Sequence, residues 1–309
     1  MAETAITGSA EQSDGASVWT GGQPLTAVGS PDVIASTRVS VDGRTIVSAE
    51  YGDPEGRPVV GFHGTPGSRR FGRLFASAAA EQGVRLLAVD RPGYGDSGAW
   101  PERSIGDIGR VVAAVLDEAA VERAGVVGFS GGGPHALAVA ATHPDRVTSV
   151  DVLSGSTPPS IGPTPLPQRL LAGLATATPG LFRGLFGVQA WVADRVSPSV
   201  FLSQYTERGI ETFEAATVDH LTREFVAAVG GSRPGVATEF RLLGEPWDFA
   251  VEEINRPVRL WHGREDTNVP LSGVQQLDHR LPDSELRTVD GDHLSTLIDY
   301  RSDVLAHHT

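Results

Sequence analysis

The sequence contains no cysteine and no lysine among its 309 residues. The absence of cysteine excludes disulfide bonds, a thiol nucleophile and any zinc site built on thiolates. All 25 basic residues are therefore arginines, and the 38 acidic residues bring the net charge to -13. A chain this acidic is not expected to bind nucleic acid or an anionic membrane without a local basic patch.

Long hydrophobic runs are missing as well. No stretch approaches the roughly 18 consecutive apolar residues of a membrane span, and the N-terminus lacks the basic region followed by an apolar run that marks a secretory signal peptide. We therefore expect a protein without a membrane span, located in the cytoplasm. Hydrophobic residues still make up 40% of the chain, which is enough for a sizeable core.

The pattern along the chain predicts one α/β domain with an insertion. Residues 1–36 are rich in small and polar residues without an apolar period, which is typical of a disordered tail. Strand and helix patterns then alternate, which predicts a mostly parallel eight-stranded sheet flanked by helices. After the sixth predicted strand, residues 155–245 have few strand signals and predict a helical cap. The core then comprises 37–154 and 246–309.

The strongest chemical motif is the run Gly128-Phe129-Ser130-Gly131-Gly132. It matches G-x-S-x-G and lies between a predicted strand and a predicted helix, which is the context of a nucleophile elbow. The sharp turn would hold the serine hydroxyl above the edge of the sheet. Gly128 and Gly132 would avoid a collision across that turn, and the N–H of Gly131 would be one donor of an oxyanion hole.

Two other interpretations fit the same glycines. Residues 131–136 also match G-x-G-x-x-A after a strand, and Asp151 follows at about the distance of a ribose-binding acid in a dinucleotide fold. A glycine-rich turn that serves packing alone is the third interpretation. This motif by itself leaves all three open.

Three further loops favour the elbow. Asp266 follows one predicted strand, His293 follows the last one, and residues 63–67 (His63-Gly64-Thr65-Pro66-Gly67) follow an early one. An elbow requires an acid and then a histidine downstream, together with a second oxyanion loop. Since open α/β sheets place their sites at the carboxyl ends of the strands, these loops should meet Ser130.

The identity of the acid is less closely defined than that of the serine. Glu265 is adjacent to Asp266, and Asp151 is a rival at the end of the sixth predicted strand, but chain order favours Asp266. We expect Asp292 to be a solvated turn acid and His63 to shape the oxyanion loop rather than act as a base. Of the nine histidines, His293 is the one directly after the last predicted strand, whereas His307 and His308 belong to the final helix or tail.

At these motifs the sequence resembles the α/β-hydrolase superfamily over about residues 37–305. The forms H-G-x-P-G at residues 63–67 and D-R-P-G-x-G-x-S at residues 90–97 are similar to those of the capped proline iminopeptidase and epoxide hydrolase branch. The resemblance implies a Ser130–His293–Asp266 catalytic triad. It also implies an oxyanion hole made by the N–H groups of Thr65 and Gly131, supported by His63, Gly64, Gly128 and Gly132.

The positions at which the sequence differs from that branch reduce the number of possible activities. Epoxide hydrolases and haloalkane dehalogenases carry an aspartate as nucleophile, so Ser130 argues against both. Prolyl aminopeptidases usually have H-G-G-P-G and a tryptophan after the serine, and Thr65 and Gly131 differ from this. The motifs are specific for the superfamily and leave the substrate open.

We therefore expect a serine hydrolase, carboxylesterase-like, that acts on a small acyl substrate through an acyl-enzyme. An aminopeptidase, an amidase or a carbon–carbon bond hydrolase would use the same triad. A small-molecule-binding receptor or regulator on the same fold is the alternative of another class. No cofactor, no metal and no nucleic-acid partner is predicted, and the protein is expected to be a monomer or a homodimer.

Overall fold

The computed structural model describes residues 33–162, 165–193, 202–229 and 234–308, so most of the predicted tail lies outside the described residues. The strands are β1 (Ala35–Val41), β2 (Arg44–Gly52), β3 (Arg57–Phe62), β4 (Val84–Val89), β5 (Ala124–Phe129), β6 (Val147–Leu153), β7 (Val258–Gly263) and β8 (Ser284–Val289). They form one eight-stranded sheet in the order β1-β2-β4-β3-β5-β6-β7-β8. The β1–β2 and β2–β4 pairs are antiparallel, and the other pairs are parallel.

Helices occupy both faces of the sheet and the long connection between β6 and β7. They are α1 (Ala76–Glu81), α2 (Ile108–Glu118), α3 (Gly133–Thr142), α4 (Leu166–Ala177), α5 (Pro179–Ala193), α6 (Ala215–Val229), α7 (Pro234–Gly244), α8 (Leu271–Arg280) and α9 (His293–Ala306). We call residues 155–245, which contain α4 to α7, the inserted segment. None of the described helices is long and apolar enough to cross a membrane.

The first strand begins earlier than the sequence predicts. We expected the ordered part to start at residue 37, but Ala35 and Ser36 already belong to β1 and pair with Glu50 and Ala49 of β2. Backbone pairing in a ladder needs no alternation of apolar side chains, so the strand continues into a stretch that has no such pattern.

The core consists of two apolar layers separated by the sheet. Successive residues of a strand point to opposite faces, and Val126 and Val127 of β5 accordingly belong to different layers. One layer is built with α2, α3 and α8, and the other with α1 and α9. Both faces of the central strands are therefore covered, as in other mostly parallel sheets.

This topology brings the chemically important loops together. Because β3, β5, β7 and β8 run in the same direction, their carboxyl ends lie along one edge of the sheet. His63 follows β3, Ser130 follows β5, Asp266 follows β7 and His293 follows β8.

Candidate active site

Ser130 occupies a strained turn between β5 and α3. Its backbone φ is +51°, in the left-handed region that a non-glycine residue rarely adopts. A Cβ added at Gly128 would lie 2.5 Å from the carbonyl oxygen of Gly132, and one added at Gly132 would lie 2.5 Å from that of Phe62. Because only hydrogen fits at these two positions, the turn can be tight enough to raise the serine side chain above the sheet edge.

The three residues proposed as a triad are in hydrogen-bond contact. The Oγ atom of Ser130 lies 2.9 Å from Nε2 of His293. On the other side of the ring, Nδ1 of His293 lies 2.8 Å from Oδ2 of Asp266. The carboxylate requires a proton on Nδ1, so Nε2 is left as the acceptor that faces the serine hydroxyl.

Asp266 is held as a buried carboxylate. Its side chain is fully buried, and its Oδ1 accepts hydrogen bonds from the backbone N–H groups of Asn268 and Val269, each at 2.9 Å. Burial alone would raise the pKa of Asp266, but the attraction and hydrogen bond of His293, helped by these N–H groups, keep it below its usual value. The acid therefore stays ionised next to the imidazole.

The other two candidate acids lie elsewhere. Glu265 is exposed to solvent. Asp151 is buried in β6, where its Oδ1 accepts the indole N–H of Trp261 at 2.8 Å and its Oδ2 forms an ion pair with Arg259 at 2.8 Å. With its carboxylate occupied in this way, Asp151 is available neither to His293 nor to the ribose of a dinucleotide.

Asp292 contradicts our expectation of a solvated acid, because it is 2% exposed. Its Oδ1 accepts the backbone N–H of Ser295 at 2.9 Å, which caps the N-terminus of α9. Its Oδ2 accepts the hydroxyl of Thr206 at 2.6 Å and the N–H of Glu207 at 2.7 Å. The carboxylate thus joins the start of α9, where His293 lies, to the inserted segment.

The loop after β3 and the turn after β5 touch each other beside Ser130. A Cβ added at Gly131 would lie 2.3 Å from Oγ1 of Thr65, and one added at Gly64 would lie 3.1 Å from the ring of Phe129. Thr65 and Gly131 both line the cavity at Ser130. The side chain of Thr65 therefore lies directly against Gly131 at the edge of this cavity.

The side chain of His63 packs inside this loop. Its side chain is buried, its Nδ1 donates to the carbonyl oxygen of Gly64 at 2.7 Å, and its Nε2 accepts the N–H of Arg91 at 3.4 Å. Burial, followed by the nearby Arg91 guanidinium, lowers the pKa of His63 well below its usual value. A neutral ring with both nitrogens engaged is not a base for the reaction.

Two cavities of unequal size meet at Ser130 and His293. The larger has a volume of about 320 Å³ and lies between the sheet edge and α4 and α7. Besides His293, its polar lining consists of uncharged groups: Thr65, Ser130, Ser156, Thr157, Gln168, Gln204, Tyr205, Thr267, Asn268 and the backbone of the glycines. Pro167, Leu171, Phe240, Leu243 and Val269 are among its apolar walls.

The smaller cavity has a volume of about 70 Å³ and is mostly apolar. Phe71, Phe129 and Phe225 belong to its walls, and Glu224 of α6 is the one acidic residue that lines it. Oε1 of Glu224 accepts the backbone N–H of Ser68 at 2.9 Å. Burial, reinforced by the charge of Asp90, raises the pKa of Glu224 to about 7.

Sequence patterns did not point to the charged residues behind the oxyanion loop or to Glu224. Arg103, Glu239 and Glu224 lie in segments whose local patterns describe ordinary helices and turns. Arg91 was visible only as part of the D-R-P-G motif. Among the described residues, no group of three or more histidine, aspartate and glutamate side chains is arranged to hold a metal ion.

The amino-acid sequence matches a protein family and is similar to several known proteins. Residues 57–299 match the family model described as the alpha/beta hydrolase fold. A 2-hydroxy-6-oxononadienedioate/2-hydroxy-6-oxononatrienedioate hydrolase from Paraburkholderia phymatum is 28% identical over 256 residues, which cover 79% of this chain and 84% of the relative. A putative non-heme haloperoxidase of Mycobacterium phage D29 is 33% identical over 121 residues, which cover 39% of this chain and 43% of the relative.

Solved structures show the same fold. The enol-lactonase from Burkholderia xenovorans LB400 superimposes with a TM-score of 0.68 at 20% sequence identity. The match covers 88% of this chain and 98% of the enol-lactonase.

Proposed function

We propose, from the premise that this chain belongs to the alpha/beta hydrolase fold family, that it is a serine hydrolase that cleaves a small, uncharged carboxylic ester. The observation that carries the proposal is the chain of hydrogen bonds from Ser130 through His293 to Asp266, with lengths of 2.9 and 2.8 Å. Serine is a weak nucleophile at its ordinary pKa, and this arrangement supplies the base that activates it.

The reaction proceeds in two halves. The Oγ of Ser130 attacks the ester carbonyl carbon while His293 Nε2 takes the hydroxyl proton, and the protonated ring then gives that proton to the leaving alcohol. A water molecule, deprotonated by the same nitrogen, then attacks the acyl carbon. The bond between that carbon and Oγ breaks, the imidazolium returns the proton to Oγ, and the acid leaves. Throughout, the Asp266 carboxylate stabilises the imidazolium and fixes its tautomer.

The backbone N–H groups of Thr65 and Gly131 are assigned to the oxygen that becomes negative during both halves. Each such donor contributes about 3–4 kcal/mol to transition-state stabilisation where it has been measured. The contact between the two loops, in which Thr65 Oγ1 leaves no room for a side chain at Gly131, supports this assignment.

The acyl group and the leaving group, which lie on opposite sides of the reacting carbon, would occupy different cavities. We assign the acyl group to the smaller, apolar cavity and the leaving group to the larger one, whose hydroxyl and amide groups suit an uncharged polar alcohol. A volume of about 70 Å³ limits the acyl group to a short chain.

A carbon–carbon bond hydrolase is the second candidate. It is favoured by the 28% identity to the hydrolase from Paraburkholderia phymatum, which extends over 79% of this chain. The substrate in that protein's name is a dicarboxylate, and carboxylates are usually bound by arginine or lysine. No arginine of the described residues lines either cavity, and the chain has no lysine. The ester is therefore the leading proposal.

The test combines a fluorophosphonate probe with p-nitrophenyl esters of increasing acyl length. We expect the protein to be labelled, to hydrolyse acetate and butyrate esters faster than octanoate, and to lose both properties in Ser130→Ala. Ser272→Ala removes an exposed serine of α8 and serves as the matched control. Absence of labelling in folded protein at low and high salt would refute the acyl-serine mechanism and favour a binding protein. Turnover of a vinylogous diketone in preference to the esters would favour the carbon–carbon hydrolase.

A further inference from the structure

A buried cluster of charged residues lies directly behind the two oxyanion loops. It consists of Arg91, Arg103, His135 and Glu239, whose side chains are completely shielded from solvent. Glu239 comes from α7 of the inserted segment, whereas Arg91, Arg103 and His135 belong to the core. The hydrolytic mechanism described above does not use any of the four.

One side of the cluster holds the Thr65 loop. The Arg91 guanidinium donates to the carbonyl oxygen of His63, to that of Gly64 at 3.1 Å and to Oγ1 of Thr65 at 2.9 Å. The same Nη2 atom lies 3.3 Å from Oε2 of Glu239. These contacts fix three consecutive residues of the loop, so they determine where the Thr65 N–H points.

The other side of the cluster holds the Gly131 turn. His135 Nδ1 lies 3.0 Å from the carbonyl oxygen of Gly131 and donates to it. Its Nε2 accepts from Arg103 Nη1 at 3.3 Å, and Arg103 Nη2 donates to Oε1 of Glu239. Burial lowers the pKa of His135, which is consistent with a neutral ring that has one donor and one acceptor.

The carboxylate of Glu239 is the element that the two sides share. One oxygen faces Arg91 and the other contacts Arg103, so a single side chain bridges the residues that hold both halves of the oxyanion hole. It also offsets one of the two buried positive charges, which leaves the cluster with a net charge of about +1. Burial alone would raise the pKa of Glu239, but Arg91 and Arg103 keep it well below its usual range.

We infer that Glu239, a residue of the inserted segment, is a positioning residue of the oxyanion hole and sets the distance between the N–H groups of Thr65 and Gly131. This inference rests on the proposed hydrolase function. A purely stabilising role explains the cluster less well, because a buried ion pair contributes little net stability compared with apolar side chains of the same volume. Oriented donors, by contrast, lose most of their effect when they are displaced by about 1 Å.

The first variant is Glu239→Gln, measured with a short p-nitrophenyl ester. We expect kcat to fall about 10²-fold and KM to change less than about threefold, because the hole acts mainly on the transition state. The inhibition constant of a trifluoromethyl ketone, which forms an oxyanion on Ser130, should rise in parallel with the loss of kcat. Glu245→Gln, which removes a partly exposed carboxylate just after α7, is the control and should leave kcat and the inhibition constant unchanged.

Three further variants keep the test valid if Glu239→Gln fails to fold. Glu239→Gln combined with Arg103→Met keeps the net charge of the cluster at its native value. Thr65→Val retains the backbone N–H but removes the hydroxyl that Arg91 holds, whereas Thr65→Ser retains that hydroxyl. We expect Thr65→Val to lose kcat and ketone affinity together and Thr65→Ser to recover most of both.

The results of these experiments distinguish the hydrolase function from the positioning role of Glu239. A wild-type protein that neither turns over esters nor binds the ketone would refute the hydrolase proposal itself. An active wild type whose Glu239 and Thr65 variants show a raised KM with unchanged kcat, or a ketone affinity that does not follow kcat, would refute the positioning role alone.

Discussion

The buried carboxyl of Glu224 predicts a defined dependence of stability on pH. The side chain is 7% exposed, lies against the smaller cavity and has a pKa of about 7, compared with an ordinary value of 4.5. The folded protein therefore holds this proton more tightly than the unfolded chain does. Its contribution to stability is fully present below about pH 4.5 and is lost as the pH rises through 7.

The size of this effect follows from the shift in pKa. The difference between 4.5 and about 7 corresponds to about 3 kcal/mol, at about 1.4 kcal/mol per pH unit. Glutamine has the same shape as the protonated acid and still offers an oxygen to the N–H of Ser68. Glu224→Gln should therefore be more stable than the wild type by up to about 3 kcal/mol at pH 8, and this difference should shrink to about 1 kcal/mol at pH 5.

Urea unfolding of both proteins at pH 5, 6, 7 and 8 measures this difference. The other titrating groups are common to both chains, so the contributions of those distant from Glu224 cancel in the comparison. His220, whose Nε2 lies 3.8 Å from Oε2 of Glu224, is a nearby group that remains coupled to the change. Glu214→Gln removes an exposed carboxyl next to the same helix and controls for the loss of one negative charge. A difference between wild type and Glu224→Gln that is constant over this pH range, or that favours the wild type at pH 8, would refute the reasoning.

Four other predictions concern the site and its surroundings. Asp266→Asn should fold normally and lower kcat by about 10³–10⁴-fold, because the amide no longer holds the imidazole in the reactive tautomer. Asp151→Asn is its counterpart and should reduce stability while leaving ester turnover close to that of the wild type. Gly132→Ala should cost about 1–3 kcal/mol of unfolding free energy, since its Cβ would lie 2.5 Å from a carbonyl oxygen. Asp292→Ala should cost about 1–2 kcal/mol through the lost cap of α9, and thermal melting would measure both losses.

The outcomes that contradict these predictions are equally specific. Full ester turnover in Asp266→Asn would remove that residue from the triad, and loss of turnover in folded Asp151→Asn would point to a second acid. Unchanged melting temperatures in Gly132→Ala or Asp292→Ala would contradict the packing and capping described for those positions.

The fold was predictable because its signals are local. Apolar runs such as the one in β5 mark strands buried on both faces, and the glycines around Ser130 mark a turn with no room for side chains. The order of strands and helices then placed Asp266 and His293 at the same sheet edge as Ser130. Fold class and family are confirmed by the match over residues 57–299.

The charged neighbours of the site were not predictable because their partners are far away in the chain. Asp292 looked like a solvated acid because Thr206, which buries it, is 86 residues distant. Glu239 looked like one polar position of a helix, and its contact with Arg103 spans 136 residues. The raised pKa of Glu224 likewise depends on burial by packed helices, which no local pattern reveals.

The two long-range carboxylates also limit how the site can open. Asp292 ties residues 206 and 207 to the start of α9, and Glu239 ties α7 to the core arginines, so the second half of the inserted segment is anchored at two places by buried polar contacts. The preceding helix α5 contacts α7 through aromatic rings, with Phe182 and Phe186 packed against Phe240 at centroid distances of 5.3 and 5.5 Å. Apolar surfaces slide at lower cost than buried ion pairs separate. A movement that admits substrate is therefore expected in the part of the inserted segment that precedes residue 206, and it would leave α7 and the oxyanion hole in place.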